Sequence, residues 1–87
     1  MGTRLQDKVA IVVGGATGFG LATVKRFSDE GATVIVAGRR LELAEEVAAA
    51  HDATAARCDV TDDQSIVDLV DLTLERHGTI DVALSYA

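Results

Sequence analysis

Four short runs of apolar residues divide the chain, and between them the apolar positions recur at helical spacing. The first run, in Lys8-Val9-Ala10-Ile11-Val12-Val13, is unbroken and rich in β-branched residues, which predicts a strand buried on both faces. From Gly20 to Glu30 the apolar residues Leu21, Ala22, Val24 and Phe27 leave Lys25, Arg26, Asp29 and Glu30 toward water, the pattern of an amphipathic helix that Gly31 ends. Thr33 to Ala37 repeats the buried-strand pattern. After the turn Gly38-Arg39-Arg40, Leu41 to about Ala50 reads as a second helix, with Leu41, Leu43, Ala44, Val47 and Ala48 on its apolar side. Ala53 to Cys58 is a weaker strand, because alanine is a poor strand former. Thr61-Asp62-Asp63-Gln64 has the spacing of a capping box, Thr61 capping and Gln64 reaching back. The helix it opens carries Ile66, Val67, Leu69, Val70, Leu72 and Leu74, more apolar surface than one buried face requires, and stops at His77-Gly78. Ile80 to Ala87 reads as a fourth strand.

The alternation βαβαβαβ predicts an α/β fold with parallel strands, a doubly wound Rossmann sheet in the order 3-2-1-4. In such sheets a ligand sits outside the carboxyl ends of the strands, where the order reverses. Four loops are expected there: Gly14 to Gly20, Gly38 to Arg40, Asp59-Val60 and Ser85 to Ala87. The first is the most informative. Gly14-Gly15-Ala16-Thr17-Gly18-Phe19-Gly20 joins the buried strand to a helix beginning near Phe19. Glycines there permit a tight turn and a close ligand, and the free N–H groups of the first helical turn suit a phosphate or pyrophosphate. Two common phosphate motifs do not fit. Thr23 stands where G-x-G-x-x-G needs its third glycine, and Leu21 stands where the triphosphatase loop needs lysine.

What remains is Gly14-x-x-x-Gly18-x-Gly20 after a buried strand, which resembles the cofactor motif Thr-Gly-x-x-x-Gly-x-Gly of the short-chain dehydrogenase/reductase family, with Val13 in place of the threonine. Asp59-Val60 and Ile80-Asp81-Val82 are similar to the family's third strand end and fourth strand entry. Where the family closes its fourth strand with Asn-Asn-Ala-Gly, this chain has Ser85-Tyr86-Ala87. The resemblance covers essentially all 87 residues but only the first third or so of a typical member. It implies a nicotinamide dinucleotide at Gly14, Thr17, Gly18, Phe19, Gly20, Arg39, Arg40, Asp59, Val60, Tyr86 and Ala87. It also implies hydride transfer between alcohols and carbonyl compounds, carried out by a serine and a Tyr-x-x-x-Lys pair. No Tyr-x-x-x-Lys occurs in these residues, and Tyr86 aligns with the asparagine motif, so no catalytic residue is expected among them. The chain is therefore expected to be the cofactor-binding portion, residues 1–87, of a longer protein, or to be completed by another polypeptide.

Charge at the second strand end chooses between cofactors. An acidic residue there would accept from the ribose 2′-OH of NAD, whereas arginine neutralises the 2′-phosphate of NADP. The position carries Gly38 followed by Arg39 and Arg40, so NADP is favoured over NAD, with Arg39 the first choice for the phosphate. The alternative is that one or both arginines only solvate the start of the next helix or pair with Glu42, Glu45 or Glu46. Asp59 would face the adenine amine and Val60 would pack beside the ring, or Asp59 is simply a turn residue.

Composition narrows the partners. With 8 basic and 14 acidic residues the net charge is −6, which argues against nucleic acid. No apolar stretch is long enough for a membrane span, and the first residues lack a secretory apolar core, so a cytoplasmic protein is expected. The one cysteine, Cys58, excludes a disulfide framework and reads as a small core residue; His51 and His77 read as exposed residues at helix ends, and no metal site is expected. The expected partners are a small alcohol or carbonyl substrate, and further copies of the complete protein or a chain completing it. A non-catalytic nucleotide sensor and an interaction protein are the alternative functions, the former given weight by Val13 and Ser85-Tyr86.

Overall fold

Apolar residues of alternating parity within the first strand feed two separate cores, and this decides the layering. In the computed structural model, which describes residues 5–86, β1 (Val9–Val13) directs Val9 and Ile11 to one side and Val12 to the other. β2 (Thr33–Gly38) does the same, with Ile35 and Ala37 against Val34 and Val36. The remaining elements among the described residues are α1 (Gly18–Asp29), α2 (Leu41–Ala50), β3 (Thr54–Arg57), α3 (Asp63–His77) and β4 (Val82–Ser85).

The strands are all parallel in the order β3-β2-β1-β4, as the alternation of elements predicts. Val24 of α1 and Ala44 and Ala48 of α2 fill one core with Val12, Val34 and Val36. Leu69 of α3 fills the other with Val9, Ile11, Ile35, Ala37, Ala56 and Cys58. Alanines at i and i+4 on α2, and Ala55 in β3 beneath it, bring that helix close to the sheet.

Several local expectations are corrected. Leu21, Ala22 and Leu41 are exposed rather than packed, because only a narrow stripe of each helix meets the sheet. The cap of α3 is not Thr61 but Asp62, whose carboxylate accepts from Gln64 N at 3.0 Å. Thr61 is held instead by Asp59, and the Gln64 side chain donates to Asp68. His51 and His77 are half-buried, and Nε2 of His77 is enclosed with no hydrogen-bond partner among the described residues. β4 is shorter than Ile80 to Ala87. Before it begins, Asp81 engages Val9 twice: Val9 N donates to Asp81 Oδ2 at 2.8 Å, and Asp81 N donates to Val9 O at 2.9 Å. A side-chain carboxylate thus takes the place of the next ladder carbonyl.

α3 buries only Leu69 and Thr73, and Thr73 Oγ1 donates to Leu69 O at 2.8 Å. Ile66, Val67 and Leu74 are exposed, as its surplus of apolar positions foretells. No described helix is long and apolar enough to cross a membrane.

α1 is seated by the absence of a side chain at Gly20. A Cβ there would stand 2.0 Å from the Gly14 carbonyl oxygen, a backbone atom that cannot step aside. Gly20→Ala is therefore expected to lower the unfolding free energy by about 3 kcal/mol, the upper range for overpacked sites. Gly38→Ala, whose methyl would meet nothing within 4 Å, should change it by less than about 0.5 kcal/mol. Urea unfolding of the two variants checks the contrast.

Candidate functional site

Where β1 ends, Gly14 N donates to Ala37 O at 2.8 Å and ties the loop to β2. The chain turns back through Gly14 (φ 78°) and Gly18 (φ 57°), left-handed conformations that side-chain-bearing residues seldom adopt. Gly18 has open space where a Cβ would be, so its glycine answers to φ alone; Gly20 answers to the close approach described above. Gly15, a position the motif leaves free, is also confined: a Cβ would lie 3.0 Å from Val24 Cγ2 and 3.1 Å from Val12 O.

Thr17 precedes α1 in an extended conformation, and its side chain caps no amide. The first intrahelical bond is Leu21 N to Thr17 O at 3.3 Å. The N–H groups of Gly18, Phe19 and Gly20 consequently carry no acceptor among the described residues, and the first turn holds no acidic side chain. Open donors at the positive end of a helix dipole are suited to an anion.

Beside this turn lies a cavity of about 410 Å³. Val13, Gly14, Ala16 and Thr17 border it from the first loop, Gly38, Arg39, Arg40 and Leu43 from the end of β2 and the start of α2, and Cys58 to Thr61 from the end of β3. Of the residues expected to bind a ligand, the structure gathers Gly14, Thr17, Arg39, Arg40, Asp59 and Val60 around this one space. Gly18, Phe19 and Gly20 form the helical turn and do not line it. Tyr86 does not line it either; its hydroxyl lies 2.8 Å from Thr23 Oγ1 on α1. Ala87 lies outside the described residues. Ala16, Leu43, Cys58 and Thr61 line the cavity without a sequence signal beyond their place next to expected residues.

The two arginines are exposed, and among the described residues neither is paired with Glu42, Glu45 or Glu46. Asp59 is committed on one side only. Its Oδ1 accepts from Thr61 N at 2.9 Å and Thr61 Oγ1 at 2.6 Å, while its own N–H donates to the Ser65 hydroxyl at 2.8 Å. Oδ2 has no partner among the described residues. Asp59 is thus a turn residue through one oxygen and free to meet a ligand through the other. The Thr61 hydroxyl and amide, and then the charges of Arg39 and Arg57, hold its carboxyl below the ordinary value of 3.8. The arrangement offers amides for one anion, guanidinium groups for a second, and apolar walls from Val13, Leu43 and Val60 between them. Among the described residues no group of three His, Cys, Asp or Glu could hold a metal.

Residues 8–87 match the family model described as short chain dehydrogenase. (+)-Borneol dehydrogenase 1 of Salvia officinalis is 42% identical over 97% of this chain and 33% of its own length. A hydroxysteroid dehydrogenase from Escherichia coli is 30% identical, with a TM-score of 0.91 over 95% of this chain and 37% of that one. A Brucella melitensis 16M structure described as ribose-5-phosphate isomerase is 32% identical, with a TM-score of 0.96 over all of this chain and 34% of that one. The chain spans about a third of the length of the relatives it matches.

The lowered Asp59 value gives a signed expectation. A group depressed in the folded state contributes stability above its ordinary value of 3.8, lost as pH falls through the lower folded value. Thr61→Val should raise the Asp59 titration toward 3.8 and reduce stability at neutral pH, the difference vanishing in stronger acid. Carboxyl-carbon NMR across acidic pH, with urea unfolding at both ends, measures this.

Proposed function

Since the chain belongs to the short-chain dehydrogenase family, we propose that residues 1–87 are the cofactor-binding part of an NADP(H)-dependent oxidoreductase interconverting alcohols and carbonyl compounds. The carrying observation is that Gly14 and Thr17 of the glycine turn, two arginines that form no ion pair among the described residues and a half-committed Asp59 meet around one cavity, with the open amides of the first turn of α1 beside it. Space also favours a ligand here, since a Cβ added at Gly38 would meet nothing within 4 Å. In this reading the first turn of α1, Gly18 to Gly20, takes the pyrophosphate, with Gly14 and Thr17 at its border. Arg39 binds the 2′-phosphate as a planar, bidentate donor, and Arg40 stands beside it. Asp59 Oδ2 accepts from the adenine amine and Val60 packs against the ring. Ala87 belongs to the nicotinamide side, and Tyr86 before it is turned to α1 through Thr23. The bound nicotinamide supplies the hydride chemistry.

The names of the Salvia and Escherichia coli proteins support an alcohol or carbonyl substrate. A second reading, a nucleotide sensor without turnover, draws on Ser85-Tyr86 at the end of β4, where Tyr86 is engaged with α1 rather than with the cavity. Both readings require NADP(H) binding, and turnover on alcohols or ketones separates them.

Parallel fluorescence titrations with NADPH and NADH at low salt provide the test. NADPH is expected to bind more tightly, and Arg39→Ala to weaken NADPH about ten- to a hundredfold, the worth of a charge-assisted hydrogen bond. NADH affinity should hardly change in that variant. Equal affinity for both nucleotides overturns the 2′-phosphate assignment, and binding of neither overturns the dinucleotide reading.

A further inference from the structure

Tyr86 continues the β1 ladder with its backbone, its amide donating to Val13 O at 2.8 Å, while its side chain reaches across to α1. The hydroxyl lies 2.8 Å from Thr23 Oγ1, and Thr23 Oγ1 donates to Phe19 O at 2.9 Å. Threonine has one hydroxyl proton. With that proton on the Phe19 carbonyl, the Tyr86 phenol must be the donor to Thr23. A directed chain therefore runs from Tyr86 O–H through Thr23 O–H to Phe19 C=O, joining the end of β4 to the first two turns of α1.

The acceptor at the end of this chain is well placed. The Phe19 carbonyl and the Gly20 N–H are two ends of one planar peptide unit. A bond fixing the oxygen fixes the direction of the N–H, and a polarised carbonyl makes its amide a better donor. Gly20 N–H is one of the open amides of the first turn. Gly20 itself has no side chain to hold the unit, and Phe19 is 81% exposed.

We propose that Tyr86 is a positioning residue of the dinucleotide site, acting through Thr23 and the Phe19 carbonyl to aim the Gly20 N–H at a phosphate. The inference rests on the dinucleotide reading above. It gives the residue at the end of β4 a part in pyrophosphate binding without touching the ligand. It also gives Thr23, at the position of the missing third glycine, a reason to carry a hydroxyl.

The test is an NADPH titration of the full chain and of Tyr86→Phe, Thr23→Val, Thr23→Ser and the double variant Tyr86→Phe with Thr23→Val. Tyr86→Phe and Thr23→Val should each weaken binding about two- to tenfold, the range for one exposed hydrogen bond. The double variant should be no weaker than the weaker single one, and Thr23→Ser should bind nearly as the unaltered protein. Amide hydrogen exchange without nucleotide should quicken from Leu21 to Thr23 in Tyr86→Phe and stay unchanged in β2. Unchanged affinity in Tyr86→Phe, additive losses, or exchange that quickens equally in β2 overturns the proposal. If the unaltered protein binds neither NADPH nor NADH, the dinucleotide reading itself falls, and the positioning role falls with it. Binding by the unaltered protein with no effect of Tyr86→Phe removes the positioning role alone.

Discussion

The contact between Gly20 and the Gly14 carbonyl governs the geometry of this molecule. α1 can lie against the end of β1 only because nothing projects from Gly20, where a Cβ would stand 2.0 Å from that oxygen. The same approach presses Gly15 between Val12 O, Val24 and Val36, so the loop is packed from below as well as above. Once α1 is held there, Val24 drops into the core shared with α2, and the free amides of the first turn stand at the carboxyl end of the sheet. The seating of α1 thus depends on one missing methyl group. The glycines of this loop are not interchangeable: Gly18 supplies a backbone angle in open space, whereas Gly20 supplies closeness.

Electrostatics at the cavity run against the charge of the whole chain. A net charge of −6 repels an anionic ligand at long range. At physiological salt, however, that field fades over about 8 Å. Within that distance the local groups decide, and these are the first turn of α1 and the guanidinium groups of Arg39 and Arg40. Asp59 fits this setting because its negative charge is already spoken for, by Thr61 first and by Arg39 and Arg57 after it.

The strands and their order were legible because parallel strands covered on both faces are written as continuous apolar runs, and β1 and β2 are such runs. The cavity loops followed from that order, since Gly14, Arg39, Arg40, Asp59 and Val60 all fall at strand ends. Local hydrogen-bond choices were not legible. Thr61 and Gln64 have the spacing of a capping box, but Asp59 captures both donors of Thr61 and passes the cap to Asp62. Helical spacing makes Leu21 and Leu41 apolar-face residues, but how wide a stripe is buried depends on the sheet beneath it. The link of Thr23 to Tyr86 joins residues far apart in sequence, and no periodicity records it.

β4 shows how a short edge strand can still serve the site. Its four residues are half-buried or exposed, so its own side chains hold it weakly to the sheet. Its two ends are instead pinned by groups outside the strand. Asp81 clamps the Val9 backbone through both its amide and its carboxylate, and Tyr86 bonds Val13 through its amide and Thr23 through its hydroxyl. An edge strand fixed at both ends cannot slip in register, and slippage by one residue would turn every side chain to the opposite face. The pin at Asp81 lies at the amino end of the sheet, far along β1 from the loop, and sets register. The pin at Tyr86 lies at the carboxyl end, where the order of strands reverses, and carries that register onto the first turns of α1.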